Sequence, residues 1–549
     1  MKRVVPGLLA LFLLLTPLSA APFEEKKLVV VVVVDQMRQD QLQLYRDLYL
    51  PAPRGGFRRL AEGGVSHTRA FHDHYPTHTA VGHSSLSTGA LPSVHGIVGN
   101  KILSEDGIIE AGIDPDFPIV GAEGTEAEGY SPRQQTAPTL GNTFKRASGG
   151  RSKVVSVALK DRTAVLMAGT SADAALWFDD DTGNWVTSRF YAEQLPAFVE
   201  RWNKEHHPRA DFGRVWSPEL LPTLLPPSIG GEAALAGVAR GYKGLDDRFP
   251  HVINGGHPEG PTGDFYAAWA HTPWAIDSTV RLALKALDEY KMGLDSTPDL
   301  LYVGIASLDK IGHTYGPDSP EALETLLQVD RGVAALLEGL EQRVGLKNCL
   351  VLLTADHGVT PLAEHSQSLR TRAQRVPLKP FRKRLEDRLL QRWARTDFRL
   401  ELADPHLFVV PAAGKEGEKP AMLAALQDEI AQVEGVLAVF ETAALARGEY
   451  RPAPYEVAIA RSIFPGRSGD LLIVFQPNTT LGYSRPGGTT HGSSWTDDTH
   501  VPLLAYGWNK RGMENRTVAP RQLVSTICLT LGLTPPGGCE APPLPWAEE

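Results

Sequence analysis

The sequence predicts an α/β fold in which a doubly wound, mostly parallel central sheet carries helices on both faces. Three observations predict it. First, five apolar runs are continuous rather than alternating, the mark of strands covered on both sides. They are LVVVVVV (Leu28–Val34), KVVSVALKDR from Lys153, LLYVGIASLD from Leu300, CLVLLTADHG from Cys349 and HVPLLAYG from His500. Second, an amphipathic helical pattern separates the third run from the fourth. Third, acidic residues and histidines follow several of the runs directly, and strand ends are where open α/β sheets build their sites.

The elements follow in chain order. Lys2 and Arg3 precede an apolar stretch from Leu8 to Leu15, and small residues follow at Ser19, Ala20 and Ala21. That pattern predicts a secretory signal peptide over residues 1–21. Its apolar centre is too short for an ordinary membrane span. The expected mature chain, 22–549, is periplasmic or secreted and keeps no stable membrane span. The six-valine strand then ends at Asp35. HDHYPTHTAVGHSSLSTG (His72–Gly89) follows, with a helix expected to start just after Thr79. A helix N-terminus presents unpaired N–H groups and a positive dipole end, which hold an anion. Thr77 and Thr79 read either as caps of that helix or, for Thr79, as a nucleophile. A threonine hydroxyl needs activation to attack at neutral pH, and metal coordination supplies it. The neighbouring histidines His67, His72, His74, His78 and His83 read as supporting or surface residues.

The second strand runs into Lys160, Asp161 and Arg162. From about 170 to 275 the chain is rich in Trp, Pro and Gly and reads as an excursion over the site. The third strand reaches Asp309. His313 comes four residues later, so both can face one ion. Ser319 can cap the next helix, Pro320 suits its first turn, and Leu323, Leu326, Leu327, Val333, Leu336, Leu337 and Leu340 form its apolar face. Strand, helix, strand in this order predicts a right-handed βαβ unit. The fourth strand ends in Asp356 and His357, which reach one metal only if the chain turns there. Residues from about 365 to 485 open with RTRAQRVPLKPFRKRLEDRLLQRW and continue with short runs such as DPHLFVVP and GDLLIVFQP, the pattern of a small α+β subdomain. The basic stretch reads as a solvated helix face. His491 in TTHG and His500 in DTHVP compete as a distant ligand.

Composition narrows the function. The 549 residues carry a net charge of -9, which excludes a general nucleic-acid binder. There are three cysteines and no CxxC spacing, so thiolate metal binding is not expected. Cys349 lies within a strand and should only pack. Cys528 and Cys539 are close enough in sequence to close a small loop, and an exported location permits a disulfide. Carboxylates and imidazoles suit zinc or manganese. Five or six such groups are too many for one tetrahedral zinc and suit two ions.

VVVDQMRQD, GGFRRLAEGG, YPTHTAVGHSSLSTG, PSVHGIVGN, LKDR, DKIGHTYGPDS, TADHGV and TTHGSSW, spread over residues 30 to 500, together resemble the alkaline phosphatase superfamily. The chain most resembles its periplasmic phosphate-irrepressible alkaline phosphatases, relatives of the nucleotide pyrophosphatase/phosphodiesterases. The resemblance implies an alkaline-phosphatase-like fold and two zinc ions. One would be held by Asp309, His313 and His491. The other would be held by Asp35, Asp356, His357 and Thr79, the nucleophile that forms a phosphothreonine. The THG motif favours His491 over His500. Asn100, Lys160 and Arg162 would contact phosphoryl oxygens. A monoester dianion has one more charged oxygen than a diester, and a lysine plus an arginine match that charge. Diesterases of the group share the asparagine but usually lack the two cations. The expected function is therefore an exported two-zinc phosphomonoesterase acting on small phosphate monoesters, with a nucleotide phosphodiesterase as the alternative. His78, Ala80 and Val81 depart from the usual residues around the nucleophile. No CxPxR motif occurs, so the usual sulfatase nucleophile is absent.

Overall fold

A computed structural model gives the protein's structure and describes residues 26–104, 107–122, 129–231, 234–482 and 487–548. The expected signal peptide lies outside these residues. Leu28–Val34 is the central strand of a ten-stranded sheet. Valine is β-branched and stiff, so a run of six favours extended backbone. Side chains alternate across a strand, and here Leu28, Val30, Val32 and Val34 enter one core while Val29, Val31 and Val33 enter the other. Helices Pro273–Glu289 and Pro320–Arg343 cover the first face, and helices Leu140–Ser148 and Leu523–Leu531 cover the second. Burial on both faces explains why the run has no polar alternation.

The sheet order is Gly512–Glu514, Val65–His67, Leu503–Tyr506, Cys349–Thr354, Leu28–Val34, Asp299–Ile305, Val154–Ala158, Ala174–Phe178, Trp185–Ser188 and Ile119–Val120. The five strands from Cys349–Thr354 to Ala174–Phe178 are parallel, and the strands next to them on either side join antiparallel. The strand before helix Pro320–Arg343 and the strand after it do not pair. They flank Leu28–Val34 instead. Ser319 accepts from the Ala322 N–H at 3.0 Å and caps that helix.

Register positions the site. Val34 lies beside Ile305, Val33 beside Thr354, and Gly304 beside Ala158. The strands therefore end level with one another, and the residues that follow them meet.

Two sequence expectations change, and the pairing of Cys528 with Cys539, which the sequence left open, is answered. Residues 174–188 are not an excursion: Ala174–Phe178 and Trp185–Ser188 form a hairpin at the edge of the central sheet. Trp177, Phe178 and Trp185 fill core space there, which hid the strand pattern. Cys349, Cys528 and Cys539 are all free, so the permitted disulfide is not formed. Cys528 is committed to the core behind the sheet, with Cys539 packed on its edge. The five histidines from His67 to His83 are all buried, none on the surface.

Residues 398–475 carry a four-stranded antiparallel sheet, in the order Phe398–Ala403, His406–Pro411, Leu471–Phe475, Val436–Glu441. It packs with helices Leu378–Leu390 and Lys419–Ala431 around a core of its own that includes Phe381, Leu385, Leu407, Ile430 and Ile473. The basic helix spends much of its charge on neighbours, with Lys383 on Asp387 at 2.7 Å, Arg382 on Glu386 at 3.2 Å, and Arg384 on Glu429. Among the described residues no helix is long and apolar enough to cross a membrane.

Candidate functional site

Thr79 is the first residue of the helix Thr79–Thr88, which follows His78 in extended conformation. All ten residues of this helix are buried. It can lie so deep because Gly82 has no side chain: a Cβ there would collide with the Asp356 carbonyl oxygen. One position on, His83 ties the helix to the same turn. Its Nδ1 lies 2.8 Å from the Thr79 carbonyl and 3.2 Å from Asp356 Oδ2. Neither threonine caps the helix through its side chain. Thr77 donates its hydroxyl to the Ser493 carbonyl at 2.7 Å, whereas Thr79 Oγ1 lies 3.2 Å from His357 Nε2.

Around Thr79 the strand ends deliver Asp35, Asp309, Asp356 and His357. Asp309 and His313 share the short helix Ser307–Tyr315, one turn apart, with His313 Nε2 3.2 Å from Asp309 Oδ1. His491 Nε2 approaches the same oxygen at 3.7 Å. His357 Nε2 lies 3.2 Å from Asp356 Oδ2 and 3.5 Å from Asp35 Oδ1. Two donor groups result, Asp309–His313–His491 and Asp35–Asp309–His357, each with its donor atoms within 4.8 Å of one another. Asp309 belongs to both, which sequence spacing did not reveal.

The imidazoles are pre-set. Nδ1 of His313 contacts the Thr489 carbonyl at 2.9 Å, that of His357 the Gly358 carbonyl at 2.9 Å, and that of His491 the Thr77 carbonyl at 2.8 Å. A carbonyl only accepts, so each Nδ1 carries the proton and each Nε2 turns its ligating position inward. His500 is spent elsewhere. Its Nε2 lies 2.9 Å from the Thr68 carbonyl and its ring stacks on Phe71.

Electrostatics shows what the cluster fits. Three buried carboxylates converge, and Lys160 Nζ sits 2.7 Å from Asp35 and 2.5 Å from Asp309. Asp35 Oδ1 and Asp356 Oδ2 are buried and face imidazole nitrogens, His357 Nε2 at 3.5 Å from the first, and His83 Nδ1 and His357 Nε2 each at 3.2 Å from the second. A buried carboxylate oxygen left unmatched is costly. Burial and the charges of Asp309 and Asp356 push the Asp35 carboxyl up to about 7. Burial also opposes ionisation of Asp309, but His313 and Lys160 prevail and hold its carboxyl well below the usual range. Asp356 stays low in the same way, through His357 and His83. Burial disfavours a charged His357, yet the carboxylates around it, led by Asp356, raise it to about 9. Oxygen and imidazole donors with surplus negative charge fit divalent cations of the zinc or manganese kind.

The cluster opens into a cavity of about 570 Å³. Thr79, Asn100, Lys160, Arg162, Trp177, Asp181 and Tyr242 are among the residues that line it. Asn100 Oδ1 accepts from the Ala80 N–H at 2.9 Å. Arg162 is held by Glu110 at 2.8 Å and by Asp161 at 3.6 Å. Arg162 thus pairs with its neighbour Asp161, whereas Lys160 turns to the cluster.

Comparisons with known proteins bear on the family and the fold. Residues 29–497 match the family model described as type I phosphodiesterase / nucleotide pyrophosphatase. The chain belongs to that family. The chain is 32% identical over 551 residues to the alkaline phosphatase PafA of Elizabethkingia meningoseptica, covering 94% of each chain. It is 30% identical to a Myroides odoratus protein named calcium-transporting ATPase, covering 100% of this chain and 99% of that one. The crystal structure of wild-type PafA superimposes with a TM-score of 0.83 at 29% identity, over 96% of this chain and 99% of that one. Both the resemblance and the fold expected from it are thus shown, and the protein is an enzyme of the phosphatase and phosphodiesterase superfamily.

For this phosphodiesterase-family chain, sequence reading missed three features of the site. The aspartates Asp179, Asp180 and Asp181 follow a strand end, and that signal was present but lay in the stretch read as an excursion. His83 was seen, but its double contact needs the packed helix. Gln36 carried no signal beyond its place after Asp35.

Cation binding should be linked to protons. A protonated His357 or Asp35 cannot donate to a metal, so binding must release those protons. Both groups are raised in the metal-free cluster, so affinity rises as pH rises and they deprotonate. We expect zinc titration of the metal-free protein near pH 7 to release protons, and affinity to increase between pH 6 and pH 8. Calorimetry in buffers of different ionisation enthalpy measures both. Affinity that is flat or falls with pH contradicts this electrostatic account.

Proposed function

We propose that the protein is an exported, two-zinc phosphomonoesterase that hydrolyses small phosphate monoesters through a phosphothreonine on Thr79. The observation that carries this reading is the Thr79 hydroxyl. It stands at a buried helix N-terminus, against His357, and opens onto a cavity that Lys160 and Arg162 also line. Asp309, His313 and His491 would hold one ion, and Asp35, Asp356 and His357, with Thr79, the other. When bound, zinc would favour loss of a proton from the threonine hydroxyl and from a water, and would offset charge on the reacting oxygens. Export is supported by the sequence of residues 1–21.

The chain's own residues do the rest. Thr79 Oγ attacks phosphorus in line, the bond from phosphorus to the leaving oxygen breaks, and the departing alkoxide takes up a proton. Water then attacks the same phosphorus and returns Thr79, releasing inorganic phosphate. Asn100, Lys160 and Arg162 stabilise the non-bridging oxygens, where charge must be held in the transition state. Lys160 now neutralises Asp35 and Asp309. Cations on those carboxylates would take over that task and leave its ammonium for the substrate. The printed name of PafA, an alkaline phosphatase, supports the monoesterase reading. The family model's name supports the second reading, a phosphodiesterase.

Thr79→Ala should abolish turnover of p-nitrophenyl phosphate while the protein keeps most of its zinc, measured by elemental analysis. Thr77→Ala should stay active, because its hydroxyl is engaged with Ser493. A chelator should remove wild-type activity, and zinc should restore it. Near-wild-type turnover by Thr79→Ala would remove the nucleophile assignment.

Lys160→Ala and Arg162→Ala test the choice between esters. A charge-assisted contact is worth roughly 1.5–3 kcal/mol. At about 1.4 kcal/mol per factor of ten, each variant should lose about one to two orders of magnitude in monoester kcat/KM. Loss on bis-p-nitrophenyl phosphate should be smaller, since a diester masks one charged oxygen. The two effects need not add, because both side chains act on one phosphoryl group. Equal proportional losses on both esters in the double variant would favour the phosphodiesterase.

A further inference from the structure

Gln36 follows Asp35 directly and has a left-handed backbone, with φ at 71°. That region is uncommon for a residue with a side chain, and glycine would enter it freely. Gln36 is also almost completely buried, with 1% of its surface exposed. Strained conformations of this kind persist where the surroundings over-determine them. Here the contacts show what does so. The side-chain amide Nε2 donates to Asp309 Oδ1 at 2.8 Å, and the backbone N–H points at Asp356 Oδ1 at 3.3 Å. Asp309 Oδ1 is also the oxygen faced by His313 and His491.

The opposite wall is shaped to admit the amide. Gly312 lies on the helix that bears Asp309 and His313, between those two residues, and a Cβ on it would collide with Gln36 Oε1. Gln36 thus reaches, from the end of the central strand, carboxylates delivered by the strands on its two sides. We propose that Gln36 is a positioning residue that fixes Asp309 against Asp356 and thereby sets the affinity of the cluster for its two cations. Gln36 does not itself line the cavity but bonds to Asp309, which does, so its effect runs through the carboxylates. The inference rests on the two-cation reading above.

The test is zinc affinity, measured by competition with a chromophoric chelator on metal-free wild type, Gln36→Gly and Gly312→Ala. Gln36→Gly keeps the left-handed turn and removes the amide. Gly312→Ala keeps the glutamine and displaces its amide from the other side. Removing a group that orients a metal ligand typically weakens binding about 10–100-fold, and both variants should fall in that range. The thermal unfolding midpoint of each metal-free protein is read in parallel. A purely structural glutamine would lower that midpoint and leave the affinity of the folded protein unchanged, which overturns the proposal. If Gln36→Gly does not fold, Gly312→Ala decides alone, and wild-type affinity there overturns the proposal. A wild type that binds no zinc overturns the underlying two-cation reading instead, and with it the proposal. Two tightly bound ions in the wild type with unchanged affinity in the variants sink only the role of Gln36.

Discussion

The rest of this structure depends on one electrostatic constraint: three buried carboxylates, Asp35, Asp309 and Asp356, are held together, with the Lys160 ammonium against two of them. Removing an ion from water costs several kcal/mol even after relaxation, unless charge and hydrogen bonds match it. Lys160 satisfies one oxygen each of Asp35 and Asp309. The other oxygens of Asp35 and Asp356 face the imidazoles of His83 and His357 instead. A fold evolved only for stability would gain from replacing such a cluster with apolar residues. Its presence at level strand ends, against a threonine at a helix start, fits a site that holds cations.

Keeping like charges together takes rigidity, and the chain supplies it at each level. Parallel register brings the strand ends level. Cores on both faces of Leu28–Val34 prevent that strand from shifting. Gly82 lets the Thr79–Thr88 helix approach the Asp356 turn, and His83 ties it there. Three backbone carbonyls orient His313, His357 and His491. None of these residues need touch a substrate, yet each decides where a reacting group stands.

Much of this was legible in the sequence, for a physical reason. Strands covered on both faces must be continuously apolar, so their ends are visible as the first charge after the run. Asp35, Asp309, Asp356 and His357 were readable on that basis, and Lys160 by the same rule. What was not legible depends on which strands become neighbours. Asp309 joins both donor groups only because the Asp299–Ile305 strand pairs directly with Leu28–Val34. The choice between His491 and His500 rested on a motif. The fold separates them by placing His500 against Phe71. The Ala174–Phe178 strand was overlooked because five aromatic-rich residues in a Trp-, Pro- and Gly-rich stretch show no clear period. The left-handed turn at Gln36 has no counterpart in residue type at all.

The most direct test of the central claim is anomalous X-ray diffraction at the zinc edge, on crystals of the zinc-loaded protein. The account predicts two strong peaks in the cluster, one beside Asp309, His313 and His491 and one beside Asp35, Asp356 and His357. Thr79 Oγ should face the second. A single peak, or zinc bound only away from these carboxylates, would contradict it.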